Sequence, residues 1–545
     1  MKIDLRLVSP LEKIFPDEPP RGGYLRASAL KNEVASFQAA WIAPEGPMRD
    51  YVNLRVESDA PVHLRRVRCV PVTFPTFPDA DADYLRKTPG LYPDALEELP
   101  SARLAAYSFH WEAVWIDVEN AAPGQHAVTV KLLNPQDETL LAEKKFTLTV
   151  IDAELPPQEL IHTKWFHCDC LCQYYGVEMW SEDFWRICEN YVRAMVRRGI
   201  NMLLTPVHTP PLDTAVGGER MTCQLVDVTL GNGGYEFGFA RLDRWVEMAR
   251  RCGVEYYEIA HLFTQWGAKH ATKIVASVNG HMQQIFGWDT SATGDCYVDF
   301  LRAYLPALKA ELARLGVLDR CYFHISDEPS LSMLEDYRAA RDYACHDLQG
   351  LPVVDALSSF EFYATGAVEH PIPAINHIQP FVDAKVPGLW TYYCIGQYKD
   401  VSNMFMAMPS QRNRILGVML YKYDIAGFLQ WGYNFWNAQQ STHPVNPWVS
   451  TDCDGFTPAG DAFQVYPGPD GAPVESLRMM VTAQALYDLR AFRLLESLRG
   501  RDFVMALIEG DVGEITFTDY PRDAAYLPAL REKVNAEIAR ALGQN

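Results

Sequence analysis

Through the first 155 residues, apolar and polar positions alternate in short runs separated by Pro, Gly and Asp, as in 34–42, 62–72, 113–118, 126–133 and 145–151. A period of two turns one side of a chain toward a core and the other toward water, so this stretch predicts an antiparallel β-sandwich over residues 1–155. The rhythm changes after Leu155, Pro156 and Pro157. Compact apolar runs then alternate with long segments of helical period at 181–198, 240–251, 297–315 and 331–345. The proline pair marks the boundary, and so short a connection predicts two regions packed together across an apolar interface.

Eight extended runs occur in this second region, at 163–168, 201–205, 254–263, 320–326, 353–357, 374–379, 389–394 and 426–431. Eight strands alternating with helices predict a (β/α)8 TIM barrel over residues 156–498. A doubly wound open sheet is the alternative, but no G-x-G-x-x-G or P-loop glycine pattern opens any of the helices. From Val474 onward the pattern is helical: 477–498 reads as the last barrel helix, and 499–545, with its periodic segment 524–542, as a helical tail.

Charge narrows the range of partners. Against 49 Lys and Arg stand 69 Asp and Glu, a net charge of −20, whose field repels phosphate backbones and anionic membrane surfaces. Nucleic acid and membrane are therefore not expected partners. The opening MKIDLRLVSP carries no apolar core and no 18-residue apolar stretch follows, so cytoplasmic residence is the expectation. The twelve cysteines are scattered, as reduced core thiols are. One cluster, Cys168, Cys170 and Cys172 beside His167 and Asp169, would share one face of an extended strand. No second Cys or His group with zinc-type spacing follows it, so buried strand thiols are expected and no metal.

In a barrel of this kind the chemistry sits where the strands end. Reading past each run gives His167 and Asp169, His208, His261 with Gln265 and Trp266, Asp327 and Glu328, Tyr392 and Tyr393, then Trp431, Tyr433, Asn434 and Trp436. The most informative segment is CYFHISDEPS at 321–330, where an apolar strand runs into two carboxylates and a proline. Pro329 biases Glu328 away from helix, while strand alternation would send consecutive side chains to opposite faces. Both carboxylates reach one pocket only if the strand breaks there. The competing reading is a helix N-terminus favoured by two acids. Letters alone decide nothing, because Asp17, Glu18 and Pro19 repeat them in a polar, proline-rich turn.

Two close carboxylates suit glycosidic cleavage, which needs one protonated acid and one anion, and mutual repulsion supplies that division. Ten of the thirteen tryptophans lie after residue 160, among them Trp266, Trp288, Trp390, Trp431, Trp436 and Trp448, and an indole face covers the apolar face of a sugar. His208 and His261 taken singly read as structural histidines. Their shared position at strand ends points to ligand contact.

The segments HLFTQWGAKHATKI (261–274), IFGWDT (285–290), HISDEP (324–329), GFLQWGYNFW (427–436) and QVYPGPDG (464–471) resemble the catalytic barrel of family 123 glycoside hydrolases. NEVASFQ (32–38) and PGLYPDAL (89–96) are similar to the β-sandwich that precedes that barrel, so the resemblance covers about residues 1–500. It implies a retaining, exo-acting β-N-acetylgalactosaminidase with substrate-assisted chemistry and a carbohydrate substrate. By that scheme Asp327 orients the 2-acetamido group and Glu328 is the general acid and then the base. The substrate contacts would come from His167, His208, His261, Trp266, Trp288, Asp289, Tyr392, Tyr393, Trp431 and Asn434. The scheme implies no metal and no organic cofactor. The chain departs from relatives after Arg478, where Met479, Met480 and then Gln484, Ala485 and Leu486 replace the usual Glu and Gly-Ile-x-Asp-like helix, which bears on substrate contacts on that side. Two other readings stand beside this one: a glycosidase for a different sugar with Asp327 as direct nucleophile, and a non-catalytic carbohydrate-binding protein.

Overall fold

The computed structural model describes residues 2–544. Ten strands between Asp4 and Glu154 form two five-stranded sheets. One has the spatial order Asp4–Val8, Ala35–Ile42, Glu112–Val118, Val62–Val72, Gly90–Glu98, and the other Arg26–Lys31, Leu140–Glu154, Gly124–Leu133, Arg49–Ser58, Arg103–Tyr107. Their facing sides bury Leu5, Phe37, Val52, Val114, Val130 and Phe146, with the rings of Phe37 and Phe146 stacked at 4.2 Å. The sandwich is antiparallel except where Leu140–Glu154 runs parallel to Arg26–Lys31.

The barrel follows. Parallel strands Ile161–Lys164, Met202–Thr205, Tyr256–Ile259, Cys321–Tyr322, Trp390–Tyr392 and Gly427–Gln430 form one sheet, and Val354–Ala356 pairs in parallel with His370–Ile372. Parallel bridges from Phe323 to Val353 and from Ala374 to Tyr392 join the pair to the sheet and close eight strands into a ring. Six of these strands lie within the predicted runs, and the first overlaps its run only at Thr163 and Lys164. The sixth sits before its predicted position at 374–379, because Pro371 in its middle disguises it. Ile161, Met202, Leu204, Val354, Ile372, Trp390 and Leu429 fill the interior. Gly427 makes room for that packing, since a Cβ there would stand 2.0 Å from the Trp390 ring.

The cysteine-rich segment corrects an expectation. Cys168–Tyr175 is a helix, not a strand, closed by Gly176 in left-handed backbone whose N–H reaches the Cys172 carbonyl. The first strand ends at Lys164, and period two over five residues was too short to exclude a helix. A second small sheet, of Asp227–Gly231, Gly234–Gly238, Ile274–Val278 and His281–Phe286, is inserted around the third barrel strand. One of its hairpins turns at Asn279 and Gly280, both left-handed (φ 51° and 82°), as a two-residue Asn-Gly turn requires.

Sandwich and barrel meet through apolar packing and buried charge together, so the purely apolar interface expected from the short connection is only half the contact. Val8, Trp111 and Trp115 pack on Leu477 and Met480. Beside them Arg65 holds Asp117 and Glu475, Glu475 also takes Arg198 at 2.7 Å, and Asp94 of the sandwich grips Arg478 through two bonds of 2.9 Å. The helix Tyr526–Ala541 folds back on the sandwich, where Arg531 pairs with Glu33 at 2.6 Å and Glu532 caps the backbone N–H of Ser28 at 2.7 Å.

Candidate active site

The fourth barrel strand continues as an irregular segment knitted between its neighbours. Leu262 and Phe263 donate their N–H groups to His324 and Ile325 on one side, and Glu328 donates to the Ala356 carbonyl at 3.1 Å on the other. Trp266 N–H closes on the Asp327 carbonyl at 2.8 Å. At Glu328 the backbone turns left-handed, with φ 43°, against the preference of a Glu residue. That turn is the break the sequence demanded. It cancels strand alternation and brings both consecutive carboxylates into one cavity of about 240 Å³ at the C-terminal mouth of the barrel.

The two acids are treated differently. Glu328 accepts a hydrogen bond of 2.6 Å from the Tyr392 hydroxyl. Asp327 accepts none from any described side chain or backbone N–H. Burial, and after it the adjacent Glu328 charge, pushes the Asp327 carboxyl well above the usual carboxylate range. The neutral form of Asp327 is favoured accordingly.

Trp165, Trp266, Trp431, Tyr392 and Phe456 wall the cavity, with Asp213, Gln265 and His167 between them. The rings are fixed by their polar ends. Trp165 donates to Glu258 at 2.8 Å, and Trp431 to Asp461 at 2.9 Å. His167 is held as the neutral imidazole, because burial and the Arg220 charge lower it to about 4, and its Nε2 lies 3.1 Å from the Trp431 carbonyl. Among the described residues no Lys or Arg lines the cavity, so they offer no ion-pair partner to an anionic sugar.

Of the predicted contacts, the structure brings Trp266, Tyr392, Trp431 and His167 to Asp327 and Glu328. Others lie elsewhere. Tyr393 points away from Tyr392 by alternation and is fully buried against Phe428, 4.9 Å between rings. Asn434 is buried, clamping the backbone of His167 with bonds of 2.9 and 3.0 Å. His208 is spanned by the His261 carbonyl at 2.8 Å, and His261 stacks on His324 at 4.1 Å below the cavity floor. Trp288 lines a separate small cleft with Pro210, Pro211 and Lys273, and Asp289 is exposed beside it. The inserted sheet carries that loop away from the mouth. Arg478 is buried on Asp94, its helix begins with Ser476 capping the Met479 N–H, and Met479, Met480, Gln484, Ala485 and Leu486 do not line the cavity.

Beneath the floor, His324 bonds Glu258 at 2.8 Å through one nitrogen and Asp355 at 3.2 Å through the other. Burial opposes its charge, but the two acids outweigh it and lift the imidazole to about 9. His261, His324 and Asp355 lie close enough to suggest a metal site. An imidazolium with both nitrogens engaged is a poor ligand, and this cluster holds a proton instead.

Asp213 and Trp165 are cavity residues that strand-end reading missed. Trp165 was legible, since it shares the inward face of Ile161 and Thr163 by period two. Asp213 lies eight residues past its strand in a loop that folds back, and nothing local signals it.

An aromatic-walled cavity with two adjoining carboxylates on a barrel mouth defines a carbohydrate-cleaving enzyme. The sequence pattern described as glycoside hydrolase 123, catalytic domain, matches residues 165–495, and the chain belongs to that family. A family 123 glycoside hydrolase from Clostridium perfringens, studied for glycolipid glycan hydrolysis, shares the fold with a TM-score of 0.76 at 13% identity, over 99% of both chains. A Bacteroides ovatus family 5 xyloglucanase aligns at a TM-score of 0.30 and 7% identity over 85% of this chain and 98% of its own. A Rhizomucor miehei family 5 mannosidase aligns at 0.32 and 10% over 61% and 93%. No curated protein matches the sequence.

Proposed function

We propose that this glycoside hydrolase releases terminal β-linked N-acetylhexosamine, with N-acetylgalactosamine preferred, by retaining, substrate-assisted catalysis. The observation that carries the reading is the left-handed break at Glu328, which delivers two consecutive carboxylates to one cavity while leaving Asp327 without a protein partner. An acetamido N–H supplies that partner. Its hydrogen bond favours the Asp327 anion, which leaves the role of acid to Glu328. Glu328 then protonates the glycosidic oxygen as the acetamido carbonyl oxygen attacks the anomeric carbon and the C–O bond to the leaving group breaks. Asp327 faces the positive charge of the resulting oxazolinium. Glu328, now the base, takes a proton from water that attacks the same carbon and reopens the ring, so two inversions give net retention. The scheme calls for no cofactor.

Direct attack by Asp327 is less well supported. A nucleophile must be anionic, and burial beside Glu328 without a hydrogen-bond donor disfavours the Asp327 anion. The acidic, lysine- and arginine-free cavity supports a neutral sugar, and the Clostridium perfringens relative's work on glycolipid glycans supports a glycan of that kind as source. The unpaired described thiols support a cytoplasmic setting. A panel of aryl β-glycosides tests the whole reading. Turnover confined to N-acetylhexosaminides, inhibition by a thiazoline and a first-formed product of retained configuration by proton NMR are expected. An inverted product, or turnover only of sugars lacking the acetamido group, refutes it.

A further inference from the structure

Asp213 lines the same cavity as Asp327 and Glu328, in left-handed backbone at φ 39°. Its backbone is held from both sides. The N–H donates to Gln265 Oε1 at 2.6 Å, the carbonyl accepts from Ser441 Oγ at 2.7 Å, and Gln265 is itself tied to the Thr214 carbonyl at 3.3 Å. The backbone N–H groups of Gln440 and Ser441 face its carboxylate; Oδ2 is sealed from solvent and accepts no hydrogen bond, while Oδ1 accepts none either and stays accessible. Arg220 stabilises the charge only through space, since its donors go to Asp169, the Leu212 carbonyl and His167. A turn residue that merely tolerates positive φ would close its carboxylate onto its own loop. A carboxylate with neither oxygen hydrogen-bonded, on a backbone fixed at both ends, calls for another account. Burial raises the carboxyl to about 6, which leaves it anionic at neutral pH.

We infer that Asp213 reads the sugar: its accessible oxygen, Oδ1, accepts a hydrogen bond from one ring hydroxyl of the neutral glycoside held at Asp327 and Glu328. The inference rests on the cavity being a neutral-sugar site and adds the residue that selects among such sugars. A site built to bond a hydroxyl rejects the analogue lacking it, because its buried polar group is left unpaired.

The test uses the full chain and the aryl glycoside that wild type cleaves best, with its 3-, 4- and 6-deoxy analogues. Wild type is expected to lose about a hundredfold or more in kcat/KM on one of the three. Asp213→Asn, which tolerates the same backbone, and Asp213→Gly, which suits it better still, are expected to lose about tenfold or more on the parent sugar, mainly through KM. On the selected deoxy sugar the two variants should lie within about threefold of wild type, because the same hydrogen bond is not lost twice. Losses that multiply, or variants within about twofold of wild type on the parent, overturn the inference. Should the best substrate lack an acetamido group, the proposed chemistry falls while the deoxy series still decides for or against Asp213. A chain that cleaves no neutral glycoside overturns both.

Discussion

Substituting Asp94 by Asn removes one charge from the interface between sandwich and barrel while keeping the side-chain shape. Arg478 is 2% exposed and Asp94 fully buried. Two guanidinium bonds of 2.9 Å join them, the Tyr466 hydroxyl adds 2.6 Å, and the remaining Arg478 donors reach the Gly460 and Phe463 carbonyls. Lys13 shares the enclosure, bonded to the Met406 carbonyl at 2.8 Å; burial lowers it to about 7 although the Asp94 charge works to raise it. Without that anion Arg478 is a buried cation lacking a counter-charge. Breaking one partner of such a pair costs about 3–5 kcal/mol, against a total stability on the order of 5–15 kcal/mol. Replacing both partners, as Asp94→Leu with Arg478→Met, should recover part of that loss, since no buried charge is then unpaired although the Tyr466 hydroxyl and the Gly460 and Phe463 carbonyls lose partners. Urea titrations followed by tryptophan fluorescence measure it. A single variant with the wild-type midpoint, or a double variant no better than the single, would refute the reasoning.

Glu328→Gln should depress activity far more on glycosides with poor leaving groups than on activated aryl glycosides, since only the former need a strong acid; equal losses would remove Glu328 from that role. Asp327→Asn should abolish turnover of N-acetylhexosaminides, and added azide should yield no inverted glycosyl azide; its appearance in product NMR would mark a direct nucleophile. For His324 the sign follows from a pKa raised from 6.5 to about 9: its stabilisation is fully present below 6.5 and is lost as pH rises through 9. It is worth up to about 3 kcal/mol, so the wild-type melting temperature should fall across that window and that of His324→Gln should stay flat, whereas parallel slopes would contradict the assignment.

What could be read from sequence followed from how local each cause is. Amphipathic periods placed the helices Glu182–Arg197, Ala240–Cys252 and Asp295–Arg314 within a few residues, and extended runs placed six barrel strands and the end of a seventh. The hairpin at Asn279 and Gly280 was equally local, since an Asn-Gly pair between two extended runs signals a two-residue turn. The break at Glu328 could be required but not located, because left-handed backbone on a Glu is imposed by the hydrogen bonds to Ala356 and Trp266. Tyr392 and Tyr393 could not both face the mouth, and alternation alone was enough to choose between them once the strand's inward face was known. Asp213, Asn434 and His261 depended on contacts across more than fifty residues of sequence.

The groups around the cavity divide into those that are held and those that are open. Trp165, Trp431 and Tyr392 each commit their polar end to an acid, respectively Glu258, Asp461 and Glu328. A ring anchored at its edge cannot swing away, and it presents a face already in place for a sugar at little entropic cost. Stacking on such faces is tolerant of sugar identity, because many sugars share an apolar face. Discrimination must come from acceptors free to meet a donor on the ligand; beside the acid Glu328, Asp327 and the Oδ1 of Asp213 are such acceptors in this cavity. Binding strength and sugar selection therefore reside on different side chains. Truncating a wall ring should weaken all substrates alike, while altering either open acid should change their order.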